Sequence, residues 1–353
     1  MTAGNPPAIS CRNVWQVFGP AAETSLTDAL ARSGNDPDGA SDDLRAKGLI
    51  PAVQDASFDV AEGELFVIMG LSGSGKSTLV RCISHLLDPS RGEIHIHGED
   101  IVKASKRRLI ELRRKKLGMV FQHFGLFPHM TVAENVAYPL RVQGVRSAAR
   151  RAKAQSVIDL VGLTGREHNY PRELSGGQRQ RVGIARSLVT DCDVWFLDEP
   201  FSALDPLIRR QLQDEFLQIR TKLNTTIVFI THDINEALKL ADRIAIMRDG
   251  KIVQIGTPTQ IVLNPVDDYV REFAKDVAKG RHARVASVML GGDDGSHTRG
   301  PDDPGLRSDM TLDTALAKCM DLYEPVPVWD DAGVCVGTVN PADLAAALQV
   351  EDA

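Results

Sequence analysis

Residues 65–87 run Leu-Phe-Val-Ile-Met, then Gly-Leu-Ser-Gly-Ser-Gly-Lys-Ser-Thr, then Leu-Val-Arg-Cys-Ile-Ser-His-Leu-Leu. The first five are strand-sized and wholly apolar, which suits a strand buried on both faces. Three glycines interrupt the next nine, and the last nine carry apolar residues at helical spacing. A buried strand that turns through a glycine loop straight into a helix opens a parallel-sheet unit, so an α/β fold is expected.

The same loop satisfies the phosphate-binding pattern G-x-x-x-x-G-K-[ST], in the strand–loop–helix setting that the pattern requires. Gly70, Gly73 and Gly75, with Leu71, Ser72 and Ser74 between them, let the backbone wrap a phosphate closely. A helix starting near Lys76, Ser77 and Thr78 adds oriented N–H donors and a favourable dipole. Lys76 is expected at the β and γ phosphates of a nucleotide and Ser77 at Mg²⁺. The plain alternative is a Gly/Ser-rich turn that matches by accident.

Three further segments bear on that choice. Val194–Leu197 is an apolar run ending in Asp198-Glu199-Pro200, so two carboxylates stand at the mouth of a buried strand. Asp198 suits Mg²⁺, and Glu199 suits orienting or deprotonating an attacking water. Thr226–Thr231 reads as another strand, with His232 at its end; that imidazole either reaches a γ-phosphate or caps the helix that follows. Gln122, after the strand-like 118–121, either reports on Mg²⁺ and water or satisfies a turn.

The fourth segment is Ser175-Gly176-Gly177-Gln178, at the start of a helical pattern. Ser and Gln three apart match a capping box, and two glycines are costly in a helix, about 1 kcal/mol each in its interior. What they permit is a helix tip without β-carbons, able to approach a phosphate. One chain with two anion sites makes sense if the second serves the nucleotide held by another copy.

Composition removes several function classes. A formal charge of −6 gives no footprint for nucleic acid. Five scattered cysteines form neither a disulfide framework nor a zinc pattern, which fits a reducing compartment. The first residues lack a secretory pattern. Apolar runs stay far below the roughly 18 residues of a spanning helix, so a membrane served by this chain must be crossed by another. Along the chain, a strand over Ile9–Phe18 precedes a polar, helix-compatible stretch over 19–48, with the turn Ser-Gly-Asn-Asp-Pro-Asp-Gly inside it. Strands follow over 52–60 and 64–69, helical and strand patterns alternate to about Lys275, and residues 291–305 read as a linker.

The ordered set Gly70–Thr78, Gln122, Leu174–Gln178, Val194–Pro200, Ser202–Asp205 and His232 resembles the ATPase subunit of an ABC transporter. The resemblance covers about residues 9–275. It implies a RecA-like core with an antiparallel β subdomain and a helical subdomain, binding ATP and Mg²⁺. It also implies a head-to-tail dimer in which each ATP lies between one copy's phosphate loop and the other's Ser175–Gln178, with Asp205 communicating across the interface. Phe18 matches the adenine-stacking aromatic by position, with a core strand residue as the alternative. The implied organisation is an ATPase domain over 1–275 with an insertion at about 19–50, a linker over 276–305, and a partial CBS-like module over 306–353.

More narrowly, residues 66–81, the insertion and residues 119–136 resemble the importer group for quaternary amines: glycine betaine, proline betaine, choline or trimethylamine N-oxide. The resemblance implies permease subunits and a substrate-binding protein as partners, and a peripheral position on the cytoplasmic face of the bacterial inner membrane. Phe124, Leu126 and Phe127 would face a coupling helix of the permease or form a small apolar cluster. An importer ATPase for an amino acid or polyamine remains the alternative, then a non-transport ABC ATPase. From residue 281 onward five Lys/Arg face thirteen Asp/Glu, which argues against attraction to an anionic bilayer. The short tail leans the solute toward choline or trimethylamine N-oxide.

Overall fold

The computed structural model describes residues 6–121, 125–202, 204–223, 225–275, 284–291, 305–319, 325–330 and 332–348. They form two compact units, residues 1–236 with 245–253, and residues 237–244 with 254–353.

In the first unit the apolar runs become the sheet expected of them. Strands β3 (Leu65–Met69), β7 (Val194–Asp198) and β8 (Thr226–Thr231) are buried at every position. Parallel pairing joins β3 to β8, β8 to β7, and β7 to β6 (Leu117–Val120). The sheet is completed on its other side by β9 (Arg243–Arg248) and β10 (Lys251–Gly256), in the order β10-β9-β3-β8-β7-β6. Because parallel strands need crossover connections, α3 (Lys76–Ile83) leaves directly from the glycine loop after β3. Trp195, Phe201, Phe216 and Phe229 interlock in the core, their ring centroids 5.7–6.1 Å apart.

A second, antiparallel sheet has the order β2-β1-β4-β5, with β1 over Ile9–Phe18, β2 over Ile50–Val60, β4 over Arg91–Ile96 and β5 over Glu99–Asp100. The insertion between β1 and β2 folds as two helices, α1 (Ala22–Arg32) and α2 (Pro37–Ala46). It has its own core, in which Leu26, Ala29, Leu30, Ala40 and Leu44 pack with Trp15 and Val17 of β1. The turn expected here is shorter than the sequence suggests. Asp36 caps α2 by accepting from the N–H groups of Asp38 and Gly39, and Pro37 occupies the first helical position, so the Pro-Asp-Gly triplet starts a helix.

The helical part contains α5 (Val132–Val142), α6 (Ser147–Leu160) and α7 (Gly176–Leu188), with α5 opened by a Thr131–Glu134 capping box. Buried Asn135 organises the loop before α5: its Oδ1 accepts from Phe127 N at 2.8 Å, and its Nδ2 donates to the carbonyls of Phe127, Met130 and Thr131. Phe127 packs on Tyr138 at 4.5 Å, and Leu126 and Phe127 are both half-buried. Phe124 lies outside the described residues.

The second unit contains α10 (Pro258–Leu263), α11 (Asp268–Ala274) and a four-stranded sheet in the order β11-β14-β13-β12. Its strands are β11 (Leu290–Gly291), β12 (Leu306–Arg307), β13 (Val326–Trp329) and β14 (Cys335–Val339). Val285 shares a core with Leu306, Leu312, Val328 and Leu344, and Leu263 of α10 packs against it. Part of the segment read as a linker is therefore integral to this unit: β11 pairs antiparallel with β14, and Val285 is fully buried. Helices α10 and α11, assigned by sequence to the ATPase domain, also belong to it. Both segments, Val-Ala-Ser-Val-Met-Leu at 285–290 and Ile-Val-Leu at 261–263, are too short to carry a readable period, so the sequence does not assign them.

Candidate nucleotide site

The loop between β3 and α3 holds its shape through its glycines. Gly70, Gly73 and Gly75 have φ of 153°, 83° and 98°. A β-carbon on Gly70 would lie 2.2 Å from the Met247 carbonyl oxygen, and one on Gly75 would lie 2.2 Å from that of Ala52, so the backbone has no room for a side chain at either position. Leu71, Ser72 and Gly73 form an exposed tip, whereas Thr78 is half-buried within α3. Ser74 is buried, and its Oγ has no hydrogen-bond partner among the described residues.

Lys76 is only 5% exposed, and its Nζ donates to the carbonyls of Gly70 and Leu71, both at 2.9 Å. The ammonium thus sits inside the ring of the loop. Burial lowers its pKa, and the carboxylates of Glu199 and Asp198 oppose that shift. Ser77 Oγ donates to Asp198 Oδ1 at 3.0 Å, which brings a hydroxyl and a carboxylate from elements 121 residues apart to one point. Burial raises the Asp198 pKa, with the Ser77 bond acting against it.

Glu199 follows Asp198 in a left-handed conformation, φ 44°. Its N–H donates to Ile230 O at 3.1 Å, and its Oε2 lies 3.2 Å from His232 Nδ1. This removes the cap reading for His232: Asp233 caps the helix, its Oδ1 accepting from Asn235 N and Glu236 N, while His232 turns to Glu199. Phe18, at the end of β1, is 40% exposed, which removes the core reading but leaves stacking open. Gln122 lies outside the described residues.

Ser175 opens α7 as the capping box requires, its Oγ accepting from Gln178 N at 3.3 Å and its own N–H donating to Gln178 Oε1 at 3.0 Å. The two glycines differ. Gly176 is half-buried, and a β-carbon there would make ordinary contact with Leu204 at 3.5 Å. Gly177 is buried, and its β-carbon would lie 2.8 Å from Ile208 Cγ2. Close packing against α8 (Pro206–Arg220) is thus one reason for glycine at 177, a reason the sequence reading missed. Asp205 caps α8, accepting from Ile208 N at 3.1 Å.

Two residues not singled out by sequence complete the surroundings. Arg209 Nη1 contacts Asp233 at 3.4 Å, and its Nη2 donates to the carbonyls of Ser202 and Leu204, so the segment before α8 is tied to the residue after His232. Glu236 is buried beside them in a shallow cleft that Glu199 and His232 also line. Its carboxyl accepts from Gln213 Nε2 at 2.9 Å, and burial raises its pKa. Neither residue sits in a motif; Arg209 is one helical turn after Asp205, and only the fold gives that spacing meaning.

The donors fit a magnesium nucleotide. Among the described residues no group of three or more His, Cys, Asp or Glu side chains can hold a metal ion alone. Mg²⁺ commonly uses one or two protein oxygens together with substrate phosphates, and Ser77 and Asp198 are oxygens of that kind.

Comparison with known proteins extends the picture. Residues 53–202 match the family described as ABC transporter. The chain is 48% identical over 338 residues to the trimethylamine N-oxide transport system ATP-binding protein TmoW of Pelagibacter ubique, covering 96% of each protein. It is 58% identical over 281 residues to TmoW of Ruegeria pomeroyi, covering 79% of this chain and 81% of that protein. It is 53% identical to the glycine betaine/proline betaine transport system ATP-binding protein ProV of Escherichia coli, over 66% of this chain and 58% of that protein. The dimeric structure of a bacterial ABC transporter cassette superposes with a TM-score of 0.59 at 30% identity, covering 71% of this chain and 98% of the other. A post-hydrolysis dimer of an ATP-binding cassette with ADP and Pi matches equally well, with a TM-score of 0.59 at 30% identity over 71% of this chain and 98% of the other.

Proposed function

The chain belongs to the ABC transporter family as an ATP-binding subunit, and from that premise we propose that it powers uptake of trimethylamine N-oxide or a closely related quaternary amine. The observation that carries the choice of solute is the match to a trimethylamine N-oxide system over 96% of both chains, where the glycine betaine relative ProV is matched over 58% of its length. The partners proposed are a second copy, permease subunits and a substrate-binding protein. Among the described residues no helix is long and apolar enough to cross a membrane; a peripheral position on the cytoplasmic face is proposed from the likeness to ATP-binding proteins of transport systems. Residues 306–353 are proposed as a partial CBS-like module.

In the proposed mechanism Lys76 exchanges the carbonyls of Gly70 and Leu71 for β and γ phosphate oxygens, so its buried charge gains a stronger partner. Ser77, Asp198 and Gln122 would hold Mg²⁺, which would offset phosphate charge when bound. Glu199 orients and deprotonates the attacking water, while His232 steadies that carboxylate and contacts the γ-phosphate. Phe18 stacks on adenine. Ser175, Gly176, Gly177, Gln178 and Asp205 serve the nucleotide of the other copy, so hydrolysis requires the closed dimer.

Glu199→Gln is expected to bind ATP, to lose turnover by at least about a hundredfold, and to elute as a dimer with MgATP in size-exclusion chromatography. A variant that stays monomeric and hydrolyses normally removes the assignment. The solute is tested by co-expressing the transporter and measuring uptake of labelled trimethylamine N-oxide. Uptake of a polyamine or amino acid instead overturns the amine reading.

A further inference from the structure

Gln54 of β2 is 2% exposed and Ser41 of α2 is fully buried, and they bond to each other: Ser41 Oγ donates to Gln54 Oε1 at 2.5 Å. The amide nitrogen of Gln54 donates to Pro51 O at 3.2 Å and to Asp249 O. Its backbone N–H donates to Gly250 O at 2.8 Å, and the Gly250 N–H in turn donates to Ser74 O at 3.0 Å. Asp249 and Gly250 form the tight turn between β9 and β10, both at positive φ. That turn and β2 form the surface on which the phosphate loop rests, since a Gly75 β-carbon would meet Ala52 O at 2.2 Å and Gly250 Cα at 3.4 Å. A second tie runs from Asp38 of α2 to Lys251, the residue after the turn.

A buried amide with its partners in place is stiff, and deleting it leaves the Asp249 carbonyl and the Ser41 hydroxyl without partners in a low-dielectric interior. We propose that Gln54 and Ser41 are positioning residues that hold the phosphate loop in its receptive shape, so that the inserted helical hairpin sets ATP affinity from outside the site. The chain of bonds is continuous: α2 to Gln54, Gln54 to the 249–250 turn, the turn to Ser74, and Ser74 to the loop that surrounds Lys76. This rests on the reading that residues 70–78 bind nucleotide.

The test is a fluorescent ATP analogue titrated into the purified full chain, with steady-state hydrolysis and melting curves on the same preparations. Gln54→Leu is expected to raise Kd and KM about tenfold, the scale of one lost buried hydrogen-bond network, with kcat held within about twofold. Ser41→Ala is expected to raise both about threefold, and it decides the matter alone if Gln54→Leu does not fold. Val157→Ala, a core truncation in α6, is expected to lower Tm and leave Kd unchanged, which separates positioning from general destabilisation. Wild-type Kd in both network variants, or an equal rise in Kd in Val157→Ala, overturns the proposal. Wild-type affinity in Lys76→Ala overturns the phosphate-loop reading itself.

Discussion

Glu236 shows what burial does to one carboxyl group. Its folded-state pKa is raised by burial, while hydrogen bonds from Thr231 and Gln213 resist the shift. A group whose folded pKa lies above the unfolded value adds stability that is fully present below the unfolded value and disappears as pH rises through the folded one. For Glu236 that window opens above its ordinary 4.5. Glu236→Gln keeps an acceptor for Gln213 and cannot ionise. It is expected to match the wild type near pH 5 and to melt higher at pH 8, by about 2–4 °C for each kcal/mol relieved. Calorimetry at pH 5, 6.5 and 8 checks this, and a gap constant with pH contradicts it. Neighbouring Glu199 carries strain of another kind: a left-handed backbone at a non-glycine residue costs on the order of 1–3 kcal/mol and holds the carboxylate against His232.

At the scale of elements, the start of α7 faces two demands, and its glycines divide them. Gly177 is needed for packing, because a methyl group there meets Ile208 Cγ2 of α8 at 2.8 Å. Gly177→Ala is expected to destabilise by about 1–3 kcal/mol, the usual cost of overpacking, and Ile208→Ala should recover part of that loss in a double-mutant cycle. Gly176 has room for a methyl group, with Leu204 at ordinary contact distance. Gly176→Ala should therefore leave Tm unchanged within about 2 °C while lowering ATPase activity, if the bare helix tip meets phosphate in the dimer. A variant that keeps full activity makes the glycine at 176 dispensable. The insertion illustrates the same division between local and tertiary demands: α1 and α2 bury Leu26, Leu30 and Leu44 against Trp15, yet the buried polar contact of α2 runs through Ser41 toward the phosphate loop.

For the whole molecule, the distribution of charge matters more than its total. The chain carries −6 overall, but residues 281–353 alone hold thirteen acidic against five basic groups. A surface of that sign is repelled by anionic headgroups, which extend their field by about a Debye length. Raising the anionic lipid fraction of vesicles that contain the assembled transporter is expected to change ATPase activity less than about twofold, at low and at physiological salt. Strong activation by salt that depends on anionic lipid contradicts this. The tail is also where the fold was least legible, since β11 and β12 are two residues each and the apolar run at 285–290 is too short to carry a period.

Local chemistry determined the α/β class, the glycine loop, the capping box at Ser175, and the strands over 9–18 and 226–231, because each depends on residues within one turn or one strand of each other. Tertiary structure decided what no window of neighbours contains. It brought Ser77 to Asp198 and His232 to Glu199, and it made Asp233 rather than His232 the cap. It paired Leu290–Gly291 with β14 and required glycine at 177 because Ile208 lies against it. The physical reason is separation along the chain: local sequence assigns Ser77 and Asp198 the same expected ion, but the bond between them exists only because β3 and β7 both pair in parallel with β8 and so open at the same end of the sheet.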